Sequence, residues 1–338
     1  MVPSPATQGT HMNVFKFVPT QLAVAAVSLA AIALPGVAHA DAVAQSILEV
    51  NAFTVTSTGA SAATFVSAAS NTTLTTNLVG FGSQSISNNP TPQFDNRLCN
   101  GPDCAATYLT PGGRFIKNLS PFAPIGNFAG AGVQNTGAHN IAGGSTARAE
   151  SNVQVTPRGD GASTGNTNLS SDFQVALAGP GRLQFNFNAN LFLRSYLDGS
   201  PMLPFANATA TAGWSMTIAG NGFDVFQWNP VSGAGGGALC NITGASTCVG
   251  SSGSGAFSLT NRQTSVNNTS IPLDREIDLV GGLFAANTGD LAAGVYTITI
   301  QHNTGSNARI DIPEPNSLAL IGIALLGAAA AASRRRKV

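Results

Sequence analysis

Charge is the first thing that this sequence lacks. Charged side chains make up 9 % of its 338 residues, with 15 Lys and Arg against 15 Asp and Glu. Between Asp41 and Asp311 ten basic residues stand against fourteen acidic ones, which gives a net charge near −4. Nucleic-acid binding needs clustered Lys and Arg to neutralise phosphates. The sequence therefore predicts no nucleic-acid partner, and its solubility must come from abundant Asn, Thr, Ser and Gly.

Helical periodicity and interdomain linkers are missing as well. Short stretches of alternating apolar residues are separated by Gly, Asn and Pro, a pattern typical of antiparallel strands joined by turns. The clearest stretch is 182–193, where Leu183, Phe185 and Phe187 would share one face and Gln184 would lie on the other. A strand with one apolar and one polar face belongs to an antiparallel sheet that is solvated on one side.

These patterns predict an all-β fold of about ten or more strands, built as an antiparallel two-sheet sandwich that is jelly-roll-like. We expect one hairpin between 172–177 and 182–193, and a second between 208–218 and 223–228 around Asn221-Gly222. Further predicted strands are 49–56, 63–68, 73–79, 147–156, 255–259, 276–279 and 295–302. We expect turns or irregular loops at 80–106, 107–142 and 159–168.

Cysteine is scarce too. Four cysteines form two local pairs, Cys99 with Cys104 and Cys240 with Cys248, and the sequence alone does not choose among the three connectivities. Our first expectation is two local disulfides, each closing a loop in an oxidising compartment. The alternative, a metal site, is disfavoured because no Cys-x-x-Cys spacing occurs. We predict no cofactor.

No catalytic motif stands out. A serine hydrolase would need His139 or His302 beside a nucleophile, and no Gly-x-Ser-x-Gly elbow lies between a strand and a helix. His302 at the end of a predicted strand is more typical of an ordinary half-exposed residue. Trp214 and Trp228 could form a sugar-stacking platform, although core packing is the favoured interpretation. We therefore predict no catalytic residue.

One acidic cluster is the best candidate for a metal. Asp274, Glu276 and Asp278 alternate along a predicted strand, so their carboxylates would share a face. Clustered oxygen ligands suit Ca²⁺, which makes these residues weak calcium candidates. The favoured interpretation is a solvated strand edge whose charges discourage pairing with another chain.

The N-terminal part of the chain, 1–40, has the pattern of a secretory signal peptide. Residues 12–17 carry one positive charge, residues 22–34 are apolar, and Ala38 and Ala40 frame a small-x-small cleavage site. We expect a signal-peptide helix here and export through the Sec machinery. Residues 1–11 precede Met12, and we interpret them as a misplaced start or an added leader.

The C-terminal end has three parts. Pro313, Glu314 and Pro315 come first, and the two prolines keep the chain extended. Residues 318–332 are apolar on all sides, as in a short transmembrane helix, although a full span needs about 20 residues. The chain then closes on basic residues that favour the cytoplasmic side, namely Arg334, Arg335, Arg336 and Lys337.

This order of parts, over residues 313–338, resembles the PEP-CTERM sorting signal of Gram-negative bacteria. The resemblance implies recognition and cleavage by exosortase, a membrane enzyme, with Pro313, Glu314 and Pro315 as the recognition element. The apolar run would be held transiently in the inner membrane, and the basic residues would act as the stop. Release or attachment at the cell exterior would follow, often in bacteria that make extracellular polysaccharide. An ordinary C-terminal tail anchor is the alternative.

We therefore divide the chain into an N-terminal extension with signal peptide (1–40), a β-sandwich body (41–311) and a sorting signal (312–338). The body is expected to be a non-catalytic cell-surface or extracellular-matrix protein associated with exopolysaccharide or biofilm. One alternative is a carbohydrate-binding or adhesive module, which could depend on calcium. A second alternative is a secreted hydrolase.

Overall fold

The computed structural model describes residues 41–59, 62–88, 94–102, 104, 127–136, 145–155, 161–198, 205–220, 223–231, 238–240, 249–252, 257–270, 272–311, 322 and 324–327. The chain divides into a unit of residues 39–313 and a second unit of residues 1–38 with 314–338. The predicted signal peptide, with Ala38 and Ala40, lies outside the described residues, as does His139.

The larger unit is made of strands, fifteen of which are described. They are β1 (Ala42–Gly59), β2 (Ala63–Leu78), β3 (Gly82–Asn88), β4 (Phe94–Asn100), β5 (Phe128–Thr136), β6 (Ser145–Val155), β7 (Gly161–Leu177), β8 (Gly181–Leu197), β9 (Phe205–Gly220), β10 (Phe223–Trp228), β11 (Ala238–Cys240), β12 (Val249–Ser252), β13 (Arg262–Asn267), β14 (Asp274–Asn287) and β15 (Gly294–Asp311).

The strands form two sheets, and every described pairing is antiparallel. The first sheet has the order β12-β14-β8-β1-β6-β5-β4. The second has the order β11-β10-β9-β15-β7-β2-β3, with β13 also paired to β9. The prediction of an all-β fold with two antiparallel sheets is confirmed. With seven and eight strands, these sheets are wider than the four-stranded sheets of a simple jelly roll.

Alternating side chains place the core between the sheets. Along β8 and β9 each second residue is buried, as the period-two pattern predicts. An aromatic cluster fills the centre, where the ring of Phe187 lies 4.7 Å from Trp214 and 5.0 Å from Phe284, and Trp214 lies 5.5 Å from Trp228. Each such buried side chain stabilises the fold by about 1.5–3 kcal/mol.

Hydroxyl groups connect the sheets inside the core. Ser306 Oγ on β15 donates to the backbone oxygen of Ser151 on β6 at 2.8 Å. Thr167 Oγ1 on β7 donates to the Glu150 carbonyl at 2.7 Å, and Ser195 Oγ bonds Thr264 Oγ1 at 2.7 Å. These bonds satisfy buried polar groups and fix how the sheets lie on each other.

The sheets differ in regularity. In the first sheet β1 is bulged between Val50 and Phe53, where Ala52 has a φ of 54°. The bulge keeps Val50, Phe53 and Val55 all in the core, which strict alternation would not allow. In the second sheet β15 pairs with β7 and β9 over its whole length without a register shift.

The predicted hairpin between 172–177 and 182–193 is wrong. The first stretch lies in β7 of the second sheet and the second in β8 of the first sheet. The chain turns a corner at 178–180, and Gly181 exchanges backbone hydrogen bonds with Leu291 instead of with β7. Both strands have one apolar face, because both sheets bury one face. The alternating pattern therefore does not reveal which sheet a strand joins. The predicted β9–β10 pair around residues 221–222 is confirmed.

Several predicted loops contain strands. Residues 161–168 form the start of β7, the predicted loop 80–106 contains β3 and β4, and 107–142 contains β5. Polar or small residues dominate these segments because one face is solvated and the other is tightly packed. At Gly165, for example, a Cβ atom would lie 2.5 Å from the carbonyl oxygen of Gly130 on the facing sheet. Residues 257–259, predicted as a strand, are not part of one.

Candidate functional site

The acidic residues proposed as a calcium site lie at the exposed start of β14. Across from them on β8, Arg194 donates from Nη2 to Asp274 Oδ2 at 2.7 Å and from Nε to Asp274 Oδ1 at 3.1 Å. Glu276 Oε2 lies 4.0 Å from Arg194 Nε. The hydrogen bonds with Asp274 raise the pKa of Arg194. The guanidinium of Arg194 thus lies beside these carboxylates. Within the described ranges, no group of three or more His, Cys, Asp or Glu side chains has an arrangement that could hold a metal ion.

His302 and both tryptophans lie in the core. The exposed fractions are 1 % for His302, 2 % for Trp214 and 1 % for Trp228. Trp214 Nε1 donates a hydrogen bond to His302 Nε2 at 3.1 Å, so the nitrogen that a general base would use is engaged by an indole. The alternative that these tryptophans form an exposed sugar-stacking platform is wrong.

Cys99 and Cys104 form a disulfide with their Cα atoms 5.9 Å apart. The bridge follows the end of β4 and closes a short loop. The side chain of Cys240 and all of Cys248 lie outside the described residues, so their pairing stays a prediction.

The structure places together a large polar surface that the sequence alone did not identify as a site. We call it the amide face. It consists of the outward residues of four adjacent strands in the second sheet, arranged in six cross-strand rows. They are Ser67, Ala69, Asn71, Thr73, Thr75 and Asn77 on β2; Thr164, Asn166, Asn168, Ser170, Asp172 and Gln174 on β7; Thr297, Thr299, Gln301, Asn303, Gly305 and Asn307 on β15; and Thr209, Thr211, Gly213, Ser215, Thr217 and Ala219 on β9.

Nearly every side chain on the amide face is an uncharged amide or hydroxyl. None of its members is aromatic, and none is an aliphatic residue larger than alanine. Asp172 is the one charged member, and its Oδ1 accepts a hydrogen bond from Thr299 Oγ1 at 2.6 Å. The intervening residues of β7, β9 and β15 are buried in the core. The face is therefore flat, neutral and rich in hydrogen-bonding groups.

A trough of about 590 Å³ crosses the middle of the amide face. Its floor includes Gly213 on β9 and Gly305 on β15, which occupy neighbouring rows. Thr211 on β9 lies in the same row as Gly305, between β13 and β15. Its Oγ1 donates a hydrogen bond to the Gly305 carbonyl oxygen at 3.3 Å. At Gly213 the missing side chain leaves open space, whereas at Gly305 a Cβ atom would lie 2.8 Å from Thr211 Oγ1 and 2.9 Å from Asn166 Oδ1.

Six side chains around the trough make no hydrogen bond to any residue that the structure describes. They are Thr73, Thr75, Asn166, Asn168, Gln263 and Asn303. Each presents its amide or hydroxyl group outward. A ligand with matching donors and acceptors could therefore bind without displacing an internal hydrogen bond.

The sequence contained a partial signal for this surface. Along β9 and β15 each second residue is Thr, Asn, Ser, Gln or Gly, with no charge from Thr297 to Asn307 or from Thr209 to Ala219. That alternation could have shown an uncharged outer face on each strand. The trough itself required knowledge of which strands are neighbours.

The C-terminal unit is described only at Gly322 and residues 324–327, which are helical. The exposed fractions of Leu325 and Leu326 are 66 % and 58 %. Within the described residues, no helix combines the length and the apolar content that a membrane crossing needs. Outside the described residues lie the predicted recognition and stop elements, namely Pro313, Glu314, Pro315, Arg334, Arg335, Arg336 and Lys337.

The family model of the PEP-CTERM protein-sorting motif matches residues 311–337. The chain thus carries this motif at its C-terminal end, directly after β15, and the resemblance drawn from the sequence is confirmed. The motif supports an exported protein that is sorted through exosortase. No curated protein and no solved structure matches the chain.

Proposed function

We propose that this chain is an exported, non-catalytic protein of the cell surface or extracellular matrix, and that it associates with extracellular polysaccharide. Its precursor is held transiently at the inner membrane by residues 318–332 and is then cleaved by exosortase. The observation that carries the proposal is the PEP-CTERM motif at residues 311–337.

The non-catalytic part of the proposal is supported by how the candidate catalytic groups are engaged. His302 is buried and accepts a hydrogen bond from Trp214, and Arg194 pairs with Asp274. General acid–base catalysis needs such groups within reach of a substrate.

The association with polysaccharide is supported by the chemistry of the amide face. Neutral polysaccharides expose many hydroxyl groups, each of which can donate and accept a hydrogen bond. The amide face exposes uncharged amides and hydroxyls over four strands, and several of them make no hydrogen bond to another residue in the described part of the chain. Such a surface suits a hydroxyl-rich polymer better than a charged one.

Mass spectrometry of the exported protein tests the sorting part of the proposal. In cells with exosortase we expect a C-terminus that lacks the residues after the Pro313–Pro315 element. In cells without exosortase we expect the full tail. An exported protein that keeps Arg334 to Lys337 in the presence of exosortase would contradict the proposal.

Cell fractionation tests the matrix part. We expect the processed protein in the extracellular polysaccharide fraction, and we expect enzymatic digestion of that polysaccharide to release it. Equal recovery in the soluble fraction before and after digestion would count against the association.

A carbohydrate-binding or adhesive module is the second candidate, and the trough favours it. Its calcium-dependent form predicts that EDTA abolishes binding. Because Arg194 lies beside Asp274 and Glu276, we expect any glycan binding to persist in EDTA.

A further inference from the structure

We propose that the trough across the amide face binds an extended, uncharged polysaccharide chain through hydrogen bonds, without calcium and without aromatic stacking. This inference rests on the proposed function, because it assigns the polysaccharide contact to specific residues and limits the polymer to the neutral class.

The first argument comes from the two glycines at the floor. Glycine inside a strand weakens it, and it often marks a bulge or a place where a ligand or another backbone comes close. At Gly213 and Gly305 the pairing of β9 with β15 continues without a register shift, and neither residue has a positive φ. No bulge or turn therefore accounts for them.

Comparison with Gly165 sharpens this point. Gly165 faces the core, and a Cβ atom there would lie 2.5 Å from the Gly130 carbonyl oxygen, so the packing of the sheets requires a glycine. A Cβ atom on Gly213 would meet nothing closer than the backbone nitrogen of Asn261 at 3.8 Å. The protein's own packing thus gives no reason for glycine at 213, whereas access for a ligand does. At Gly305 a Cβ atom would crowd Thr211 Oγ1 at 2.8 Å and Asn166 Oδ1 at 2.9 Å, so local packing already favours glycine there.

The second argument comes from the polar groups around the floor. One cross-strand row contains Thr75, Asn166, Gly305, Thr211 and Gln263. The adjacent row contains Thr73, Asn168, Asn303 and Gly213. With neighbouring strands about 4.8 Å apart, five strands span about 19 Å. An extended oligosaccharide lying across the strands could contact both rows along this length.

The third argument comes from charge. Anionic polymers are bound by clustered cations, and the amide face includes no Lys or Arg. Arg262 lines one end of the trough. In the ladder between β13 and β9, however, it lies opposite the buried residue Ala212, and its own Nε atom is buried. A neutral polymer therefore fits this surface better than a uronic-acid polymer.

Aromatic stacking, the other common way to bind sugar rings, does not contribute here. The lining of the trough contains no Phe, Tyr or Trp. Affinity must come from many weak hydrogen bonds along one chain, so we expect it to grow with the length of the oligosaccharide.

The test uses the full-length purified protein in affinity electrophoresis through gels that contain one polysaccharide each. The neutral probes are a mixed-linkage β-glucan, dextran and galactomannan, and the anionic probe is alginate. We expect retardation by at least one neutral polymer and none by alginate, with no effect of EDTA or of added NaCl.

Two variants locate the contact. Gly213→Thr places a side chain on the floor at a position where a Cβ atom meets nothing closer than 3.8 Å, with a residue that strands favour. Asn303→Ala removes one exposed amide that makes no hydrogen bond to the described residues. We expect Gly213→Thr to weaken binding at least about tenfold, and Asn303→Ala to weaken it about twofold to tenfold, as the loss of one hydrogen bond does. Asn186→Ala on the outer face of the first sheet is the control and should bind as the unchanged protein does. Circular dichroism and thermal melting verify that every variant is folded.

Four results would overturn the inference: no binding to any of the three neutral polymers, undiminished binding by Gly213→Thr, binding to alginate that Arg262→Gln abolishes, or self-association of the protein that Gly213→Thr abolishes. The last result would assign the face to a second copy of the chain. A protein that is processed and reaches the cell surface but binds no neutral polymer defeats this inference and not the sorting pathway. A protein that is never processed but binds a neutral polymer supports this inference and defeats the sorting pathway.

Discussion

The outer faces of the two sheets use polar residues in different ways. On the first sheet, Arg148 lies between Glu49 and Glu150 in a buried ion-pair network, with Arg148 Nη1 2.9 Å from Glu49 Oε2. On the second sheet, the amide face has a single charged residue, and many of its amides and hydroxyls make no hydrogen bond to any residue within the described ranges. The comparison teaches that polar groups stabilise the fold on one face and remain available to a ligand on the other.

The two faces also differ in backbone regularity. Beside β8 in the first sheet, both neighbouring strands are irregular, β1 between Asn51 and Thr54 and β14 between Leu279 and Gly282. The ladders of β15 in the second sheet have no shift. The second sheet has shifts of its own, in β2 between Phe65 and Ser67 and in β10 between Asp224 and Phe226, away from the two rows of the trough. Bulges increase local twist, so the regular ladders of β15 with β7 and β9 are the better platform for a long ligand.

The largest expected effect comes from Arg148→Met. This change leaves Glu49 and Glu150 buried without their guanidinium, and their side chains are 13 % and 6 % exposed. Loss of one partner from a buried ion pair costs about 3–5 kcal/mol. Urea unfolding followed by fluorescence of the buried tryptophans measures the loss. Arg182→Met, in the exposed pair with Asp290, is the control and should leave the midpoint unchanged; similar losses in both variants would refute the contrast.

Gly281→Ala should have the next largest effect. Gly281 has a φ of 71° in the bulged part of β14, and a Cβ atom there would meet nothing within 4 Å. The cost is therefore one of backbone conformation, about 1–2 kcal/mol for a left-handed residue with a side chain. Urea unfolding measures it. Unchanged stability would show that the bulge adjusts freely.

Ala52→Gly should act in the opposite direction. Ala52 has a φ of 54° in the bulge of β1, a conformation that glycine adopts without steric cost. After the larger entropy loss of glycine is subtracted, we expect a gain of about 0.5–1 kcal/mol in the free energy of unfolding. Thermal melting of this variant measures the gain, and Gly281→Ala is the matched comparison because it makes the reverse substitution at another residue of positive φ. A loss of stability would contradict the strain at residue 52.

The smallest effect on stability should come from the amide face. Asn303 is exposed and makes no hydrogen bond within the described residues. Asn303→Ala should therefore change the free energy of unfolding by no more than about 0.5 kcal/mol, as is usual for such surface positions. Urea unfolding gives the value. A loss as large as that expected of Gly281→Ala would show that this amide supports the fold and would remove the contrast between the faces.

Local patterns predicted much of the fold. The alternation of Leu183, Phe185 and Phe187 predicted the buried face of β8, and Asn221-Gly222 predicted the β9–β10 pair. The pattern did not predict that β7 and β8 belong to different sheets, because the inner faces of both sheets carry the same alternation. Burial determines the period of a strand, whereas its partners depend on contacts far along the chain.

The same difference between local patterns and distant contacts applies to the candidate sites. The sorting motif is contiguous, so the sequence contained all of it. The trough depends on Gly305 lying between Asn166 and Thr211, an arrangement that only the pairing of distant strands creates. For a related reason the sequence does not show that Arg194 lies beside Asp274, one of the weak calcium candidates.

The position of β15 has a mechanical consequence. This strand is central in its sheet, and the sorting motif begins at its last residue, Asp311. A force applied at Asp311 along the axis of β15 would load the seventeen residue pairs with β7 and the sixteen with β9 in shear, so these pairs would have to slide together rather than open one at a time. The β body would therefore resist mechanical unfolding from this end.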